Sequence, residues 1–322
     1  MIIKRSYKEN MKHTNLSVAI GNFDGIHLGH RFILSELRKF KKAGNDKIAV
    51  ISFYPHPVKV LRPDIWKNNL IRFRTKYRLL KSFGVDILFH IPFTKMFSKF
   101  SGSYFIEDIL IRRIKAKNIL VGEDFRFGNN REGDIDLLLK YAEKNMFKLK
   151  FFSKKGNKED QFSSSLIRKL ITMGNLKKAN LYLNYFWEVE GKVISGRAKG
   201  RELGFPTANI NYNYQICPAN GIYAGWAKVE GDNIWRKAAI STGTRPHYRG
   251  TDKILEVHLL SFSGNLYQKR LRVAFIKKVR DEQKFKNEKE LKNKMQEDCH
   301  SIKNILEKEH IINDNNGNNA GL

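Results

Sequence analysis

Residues 19–31, AIGNFDGIHLGHR, hold two histidines three positions apart, His27 and His30, with Gly21, Gly25, Gly29 and the run Asn22, Phe23, Asp24. Imidazoles at i and i+3 near a helix start can bind a metal, donate N–H groups to an anion, or serve as ordinary core or surface histidines. Zinc needs a further convincing ligand, and His56 in SFYPHP is the only nearby candidate, with no cysteine beside it. Glycines that let an anion approach the backbone favour the second reading, in which His27 and His30 follow charge moving onto the phosphates of a nucleotide. The stretch has neither G-x-G-x-x-G nor G-x-x-x-x-G-K-[ST], so it lacks the dinucleotide fingerprint and the P-loop.

Other constellations suit the same chemistry. In VGEDFRFG, Asp124 can accept from ligand hydroxyls or amines and Arg126 can grip a phosphate, unless the two form a plain surface ion pair. In SSSLIR, the hydroxyls around Ser164 can cap a helix whose Arg168, one turn in, points at the same anion. Further on, GRAKGRELGFPTANI sets Gly196, Arg201 and Gly204 ahead of Thr207 and Asn209. Glycine and arginine there can cradle phosphates, with Thr207 and Asn209 as oxygen ligands for Mg²⁺; the bland alternative is a turn-rich loop. In LEVHLLSF, alternation puts Glu256, His258 and Leu260 on one strand face, so that the carboxylate meets either solvent or a site.

The elements that must position these residues change character midway. Apolar runs at NLSVAIGNF, KIAVISF, VDILFHI, NILVG and FKLKFF alternate with helical patterns, which predicts an α/β, doubly wound parallel sheet of Rossmann-like type. Ligands of such sheets bind beyond the carboxyl ends of the strands, where the histidine pair lies. After LYLNYFWEVEG, five short alternating runs separated by Gly, Asn and Pro predict a small antiparallel β-barrel. A terminal helix should pack on it through Leu291, Met295, Ile302 and Leu306. The expected domains are 1–184, 185–310 and a polar tail, 311–322, without fixed structure.

The 322 residues, 41% apolar, suffice for two packed cores. Two cysteines, Cys217 and Cys299, make neither a disulfide framework nor a C-x-x-C site. No signal peptide and no membrane-length apolar run is evident, so a cytoplasmic protein is expected. The net charge of +28 suits polyanions, but the bases are spread along the chain rather than gathered in one arm, so a specific nucleic-acid partner is not expected.

GNFDGIHLGH resembles the N-terminal signature of the prokaryotic bifunctional riboflavin kinase/FMN adenylyltransferase (FAD synthetase) family. SFYPHP, VGEDFRFGNNREGD and SSSLIRKLITMGNLKKANLYLN follow in family order, and GRELGFPTANI, GTRP and LEVHLLSF resemble its kinase barrel. The resemblance covers residues 16–308 and implies ATP as co-substrate, Mg²⁺, and riboflavin and FMN as substrates. It implies Glu256 as catalytic base, His27 and His30 as phosphate donors, and flavin contacts at Pro55, His56 and Arg245. This chain departs from the family at Ser241 and His247, where Asn and Thr are common, at Tyr267-Gln268 for Tyr-Gly, and at Tyr54 for Glu. Two alternatives stay open: an H-x-G-H nucleotidyltransferase with another acceptor, and a basic RNA-binding protein on a degenerate scaffold. The absence of a KMSKS-like loop weakens an aminoacyl-tRNA synthetase reading.

Overall fold

Apolar runs in the first half become parallel strands. This computed structural model describes residues 1–8, 10–11, 15–42, 46–153, 156, 161–196, 199–212, 215–247 and 250–309, the side chains of 42, 199, 244–247 and 250–253 apart. The expected strands are β2 (Leu16–Ile20), β3 (Lys47–Tyr54), β4 (Ile87–Pro92), β5 (Ala116–Gly122) and β6 (Lys148–Phe152). A strand that the sequence reading missed, β1 (Ile2–Lys4), pairs with β4, and the order is β1-β4-β3-β2-β5-β6 with every pair parallel. All five residues of β2 are buried, because both of its faces are covered. The chain runs outward through β2, β3 and β4 and then returns to place β5 on the other side of β2. That reversal is a topological switch point, and the histidine motif starts at its β2 side.

Helices α1 (Leu28–Lys39), α2 (Pro57–Leu61), α3 (Phe73–Ser82), α4 (Gly102–Tyr104) and α5 (Ile135–Glu143) connect these strands, with α4 continuing as a π-helical run, Phe105–Arg113. Residues gather into two compact units, Met1–Lys67 with Lys76–Ser163, and Asn68–Thr75 with the chain from Ser164 onward. The second unit therefore takes in α6 (Ser164–Thr172) and α7 (Leu176–Leu183). Asn180 on α7 is buried, donating to the Phe275 carbonyl at 2.8 Å and accepting from the Trp187 N–H at 2.8 Å.

Strands β7 (Glu188–Ile194), β8 (Ala208–Asn211), β9 (Gly221–Val229), β10 (Trp235–His247), β11 (Gly250–Leu259) and β12 (Arg270–Arg280) close an antiparallel barrel in the order β10-β11-β8-β7-β12-β9. Five strands were expected, and the sixth is β8, four residues hidden in the P-T-A-N run; a short helix, α8 (Lys199–Glu202), precedes it. Leu255, Val257 and Leu259 of β11 face the barrel core, which puts Glu256 and His258 on its outer face. The terminal helix α9 (Glu288–Glu307) packs Ile302 and Leu306 with Ala224 and Ile276, whereas Leu291 and Met295 stay half-buried. Arg280 clamps the buried Asp298 of α9 in two-point contact, at 2.7–3.0 Å. The tail 311–322 lies outside the described residues.

Candidate active sites

Where β2 ends, the chain must turn sharply to enter α1. Gly21 still donates to the Ile51 carbonyl at 3.0 Å, after which Phe23 (φ 47°), Gly25 (φ 86°) and Ile26 (φ 42°) take left-handed backbone. Phe and Ile are strained there, and both side chains are buried, so packing holds the turn in a conformation that neither residue prefers. His27 is the N-cap of α1, and its side chain makes no capping bond. Its ring stacks on His30 with centroids 3.8 Å apart, and the Phe23 ring lies 5.0 Å from His30, tilted by 42°. A Cβ on Gly29 would come within 3.2 Å of the His27 ring, so the glycine makes room for that imidazole.

Burial, then His27, then Lys76 push the His30 pKa well below its ordinary value, so the ring is neutral at physiological pH. Its Nδ1 and the Asn22 Oδ1 are buried without a hydrogen-bond partner among the described residues. At neutral pH such a ring offers one N–H donor and one lone pair, suited to following charge on a phosphate oxygen.

On the other side of the switch point, Asp124 and Arg126 follow β5, both exposed, with Arg126 Nη1 donating to the Phe125 carbonyl at 3.1 Å. Pro55 and His56 follow β3. His56 is the N-cap of α2, its Nδ1 accepting from the Val58 N–H at 3.2 Å and its ring stacked on Trp66 at 4.6 Å. Among the described residues no three His, Cys, Asp or Glu side chains form a group that could hold a metal. Ser164 and Arg168 belong to the second unit, where the buried Arg168 donates through Nε to the Asn68 carbonyl at 3.0 Å.

In the second unit, Gly196, Arg201, Pro206, Thr207, Asn209 and Tyr267 line a shallow, solvent-open hollow. Gly204, just before Phe205 and Pro206, takes φ 90°, which suits glycine. A Cβ on Gly196 would sit 2.2 Å from the Asn209 Nδ2, so any larger residue there would displace that amide. Asn209 is itself buried, and its Oδ1 has no hydrogen-bond partner among the described residues. Together with the Thr207 hydroxyl it fits a hard cation that takes few protein oxygens and keeps several waters. Glu256 lies directly opposite Asn209 across β8–β11 and opposite Ser241 across β10–β11. Directly opposed side chains of an antiparallel pair are in reach of one another, so carboxylate, amide and the departing residue Ser241 share one patch.

Arg245 lies in β10, but its side chain is outside the described part, as is that of His247. Two residues named from the sequence, but given no role there, stand beside these groups. Tyr267 walls the hollow, and His258, on the Glu256 face, has its Nδ1 2.9 Å from the Pro206 carbonyl, where it must be the donor. Alternation on β11 was the available signal for His258.

Comparison with known proteins adds three findings. The FAD synthetase family model matches residues 9–166 and the riboflavin kinase model residues 183–306. The bifunctional riboflavin kinase/FMN adenylyltransferase of Buchnera aphidicola subsp. Schizaphis graminum is 35% identical over 297 residues, 90% of this chain and 94% of that protein. Its namesake from Escherichia coli K12 is 35% identical over 281 residues, 87% and 90% of the two chains. A crystal structure described as a macrolide-efflux protein from Streptococcus pneumoniae superposes with a TM-score of 0.84 at 26% identity, covering 94% of this chain and 98% of that one. No helix among the described residues is long and apolar enough to cross a membrane.

Proposed function

This chain belongs to the family of bifunctional riboflavin kinase/FMN adenylyltransferases, and from that premise we propose how its residues divide the work. It is an enzyme that phosphorylates riboflavin to FMN with ATP and adenylylates FMN to FAD with release of pyrophosphate. We assign adenylyl transfer to residues 1–184 and phosphorylation to residues 185–310, acting in the cytoplasm on free flavins.

In the barrel, Glu256 accepts the proton of the riboflavin 5′-hydroxyl as that oxygen attacks the γ-phosphorus of ATP. Thr207 and Asn209 hold Mg²⁺, which when bound neutralises phosphate charge. Gly196, Arg201 and Gly204 cradle the phosphates, with Arg245 at the flavin. The observation that carries this reading is the register of Asn209 against Glu256, which sets the base beside the proposed metal ligand.

In the parallel-sheet domain, the phosphate of FMN attacks the α-phosphorus of a second ATP. This nucleophile is already ionised, so the site needs positioning and charge stabilisation more than a base. His27 and His30 donate to phosphate oxygens, and Gly21, Asn22, Phe23, Gly25 and Gly29 form the turn that receives them. Asp124 and Arg126 contact the nucleotide, Pro55 and His56 the flavin, and Ser164 and Arg168 the departing pyrophosphate. The switch point between β2 and β5 supports the roles given to the histidine turn and to Asp124 and Arg126.

Incubation with riboflavin, ATP and Mg²⁺, and separately with FMN, ATP and Mg²⁺, followed by chromatography of the flavins, tests both assignments. FAD is expected from both mixtures, and no conversion in either would overturn the reading.

A further inference from the structure

We infer that Lys76 is a charged positioning residue of the adenylyl-transfer site, fixing the Asn22–Phe23–Asp24 turn through its bond to the Asn22 carbonyl. The inference rests on the reading of that site given above. In sequence Lys76 is one of several bases on α3, yet it is buried. Its Nζ donates to the Asn22 carbonyl at 2.8 Å and to the Ser52 hydroxyl at 3.1 Å, while Ser52, wholly buried on β3, donates to the same carbonyl at 3.2 Å. These three groups form a closed triangle under the first residues past β2. Asn22, whose carbonyl is thus pinned, is the residue with a buried, unpartnered Oδ1.

Two neutral acceptors satisfy hydrogen bonds without cancelling the charge. Burial lowers the Lys76 pKa to about 8, and the Asp24 carboxylate in the turn partly opposes that shift. Lys76 in turn helps lower His30 on α1, and it helps lower His90 on β4 to about 4, behind burial and ahead of Arg5. A buried ammonium lowers stability at neutral pH, where an apolar residue of similar length would not. Retaining it makes sense where a fixed positive charge is needed beneath an anion.

Charge and stability then respond to pH in opposite directions. The folded pKa lies below the ordinary lysine value, so the unfolded chain binds more protons between about pH 8 and the ordinary range, and this group's contribution to stability rises with pH there. Adenylyl transfer, which uses the charged form, falls over the same interval. A lysine with a purely structural role gives no such opposition.

The test is the kcat and KM of FAD formation from FMN between pH 6.5 and 9.5, in the wild-type chain and in Lys76→Met, with riboflavin phosphorylation and thermal melting measured alongside. The wild type should lose kcat above about pH 8. Lys76→Met should be about 10- to 10²-fold slower in kcat, flat across that limb, with KM for FMN little changed, phosphorylation intact and melting no lower. A variant within twofold of wild type, or one that keeps the alkaline limb, overturns the inference. Should Lys76→Met lose phosphorylation as well through misfolding, the wild-type profile decides, because a kcat that does not fall above pH 8 is equally fatal. Failure of the underlying site reading looks different: wild-type chain that makes no FAD from FMN at any pH.

Discussion

The two regions proposed to handle phosphate in this chain are built in opposite ways. At the switch point of the parallel sheet, the turn after β2 is buried, strained at Phe23 and Ile26, and furnished with a stacked histidine pair of which burial holds His30 neutral. On the outer face of the barrel, Gly196, Arg201, Thr207 and Asn209 border a solvent-open hollow, with the half-buried Glu256 on the strand beside Asn209. Acceptor chemistry accounts for the contrast. On the proposed reading, a flavin hydroxyl must lose a proton as it attacks, and the Glu256 carboxylate beside the Thr207 and Asn209 oxygens would suit that step. On the same reading, a flavin phosphate arrives ionised, and imidazole donors with the proposed charge of Lys76 would suit a site that stabilises rather than deprotonates.

The largest expected effects separate the two sites outright. Glu256→Gln should lower FMN formation by about 10² to 10⁴ while FMN-to-FAD conversion stays at the wild-type rate. His30→Ala should do the reverse, slowing FAD formation by about 10² to 10³, and an unchanged rate would remove this imidazole from the chemistry. A smaller effect sharpens the barrel side: Gly196→Ala pushes a Cβ against the Asn209 amide and should cost phosphorylation about 10- to 10²-fold, with a raised Mg²⁺ requirement in a titration. His258→Phe removes the donor to the Pro206 carbonyl and should raise the KM for Mg-ATP several-fold, leaving FAD formation from FMN alone. Smallest is Gln268→Gly. Gln268 sits at φ 65° where the family commonly has glycine, so the change should raise stability by about 1 kcal/mol in a denaturant titration without altering either activity.

Much of this arrangement was legible in the residues. Strands β2 to β5 announce themselves as apolar runs because they lie inside the sheet, and the motif after β2 marks the ligand end. The missed strands have physical reasons. Strand β1 is three residues long at a sheet edge, and β8 spans four residues whose apolar members, Ala208 and Ile210, sit within what reads as a binding loop. Lys76 looks like any other base on an amphipathic helix, and only tertiary burial distinguishes it. His56 shows the reverse, a histidine beside a motif whose Nδ1 is already taken up in capping α2. Strain at Phe23 and Ile26 was likewise invisible, because residue types alone assign left-handed backbone to glycine.

The most direct test of the division of labour is the Glu256→Gln chain assayed in parallel for riboflavin phosphorylation and for FAD formation from FMN. The account predicts that phosphorylation collapses while adenylyl transfer keeps its wild-type rate. Equal loss of both, in a chain that melts like wild type, would contradict the assignment of the two chemistries to separate sites.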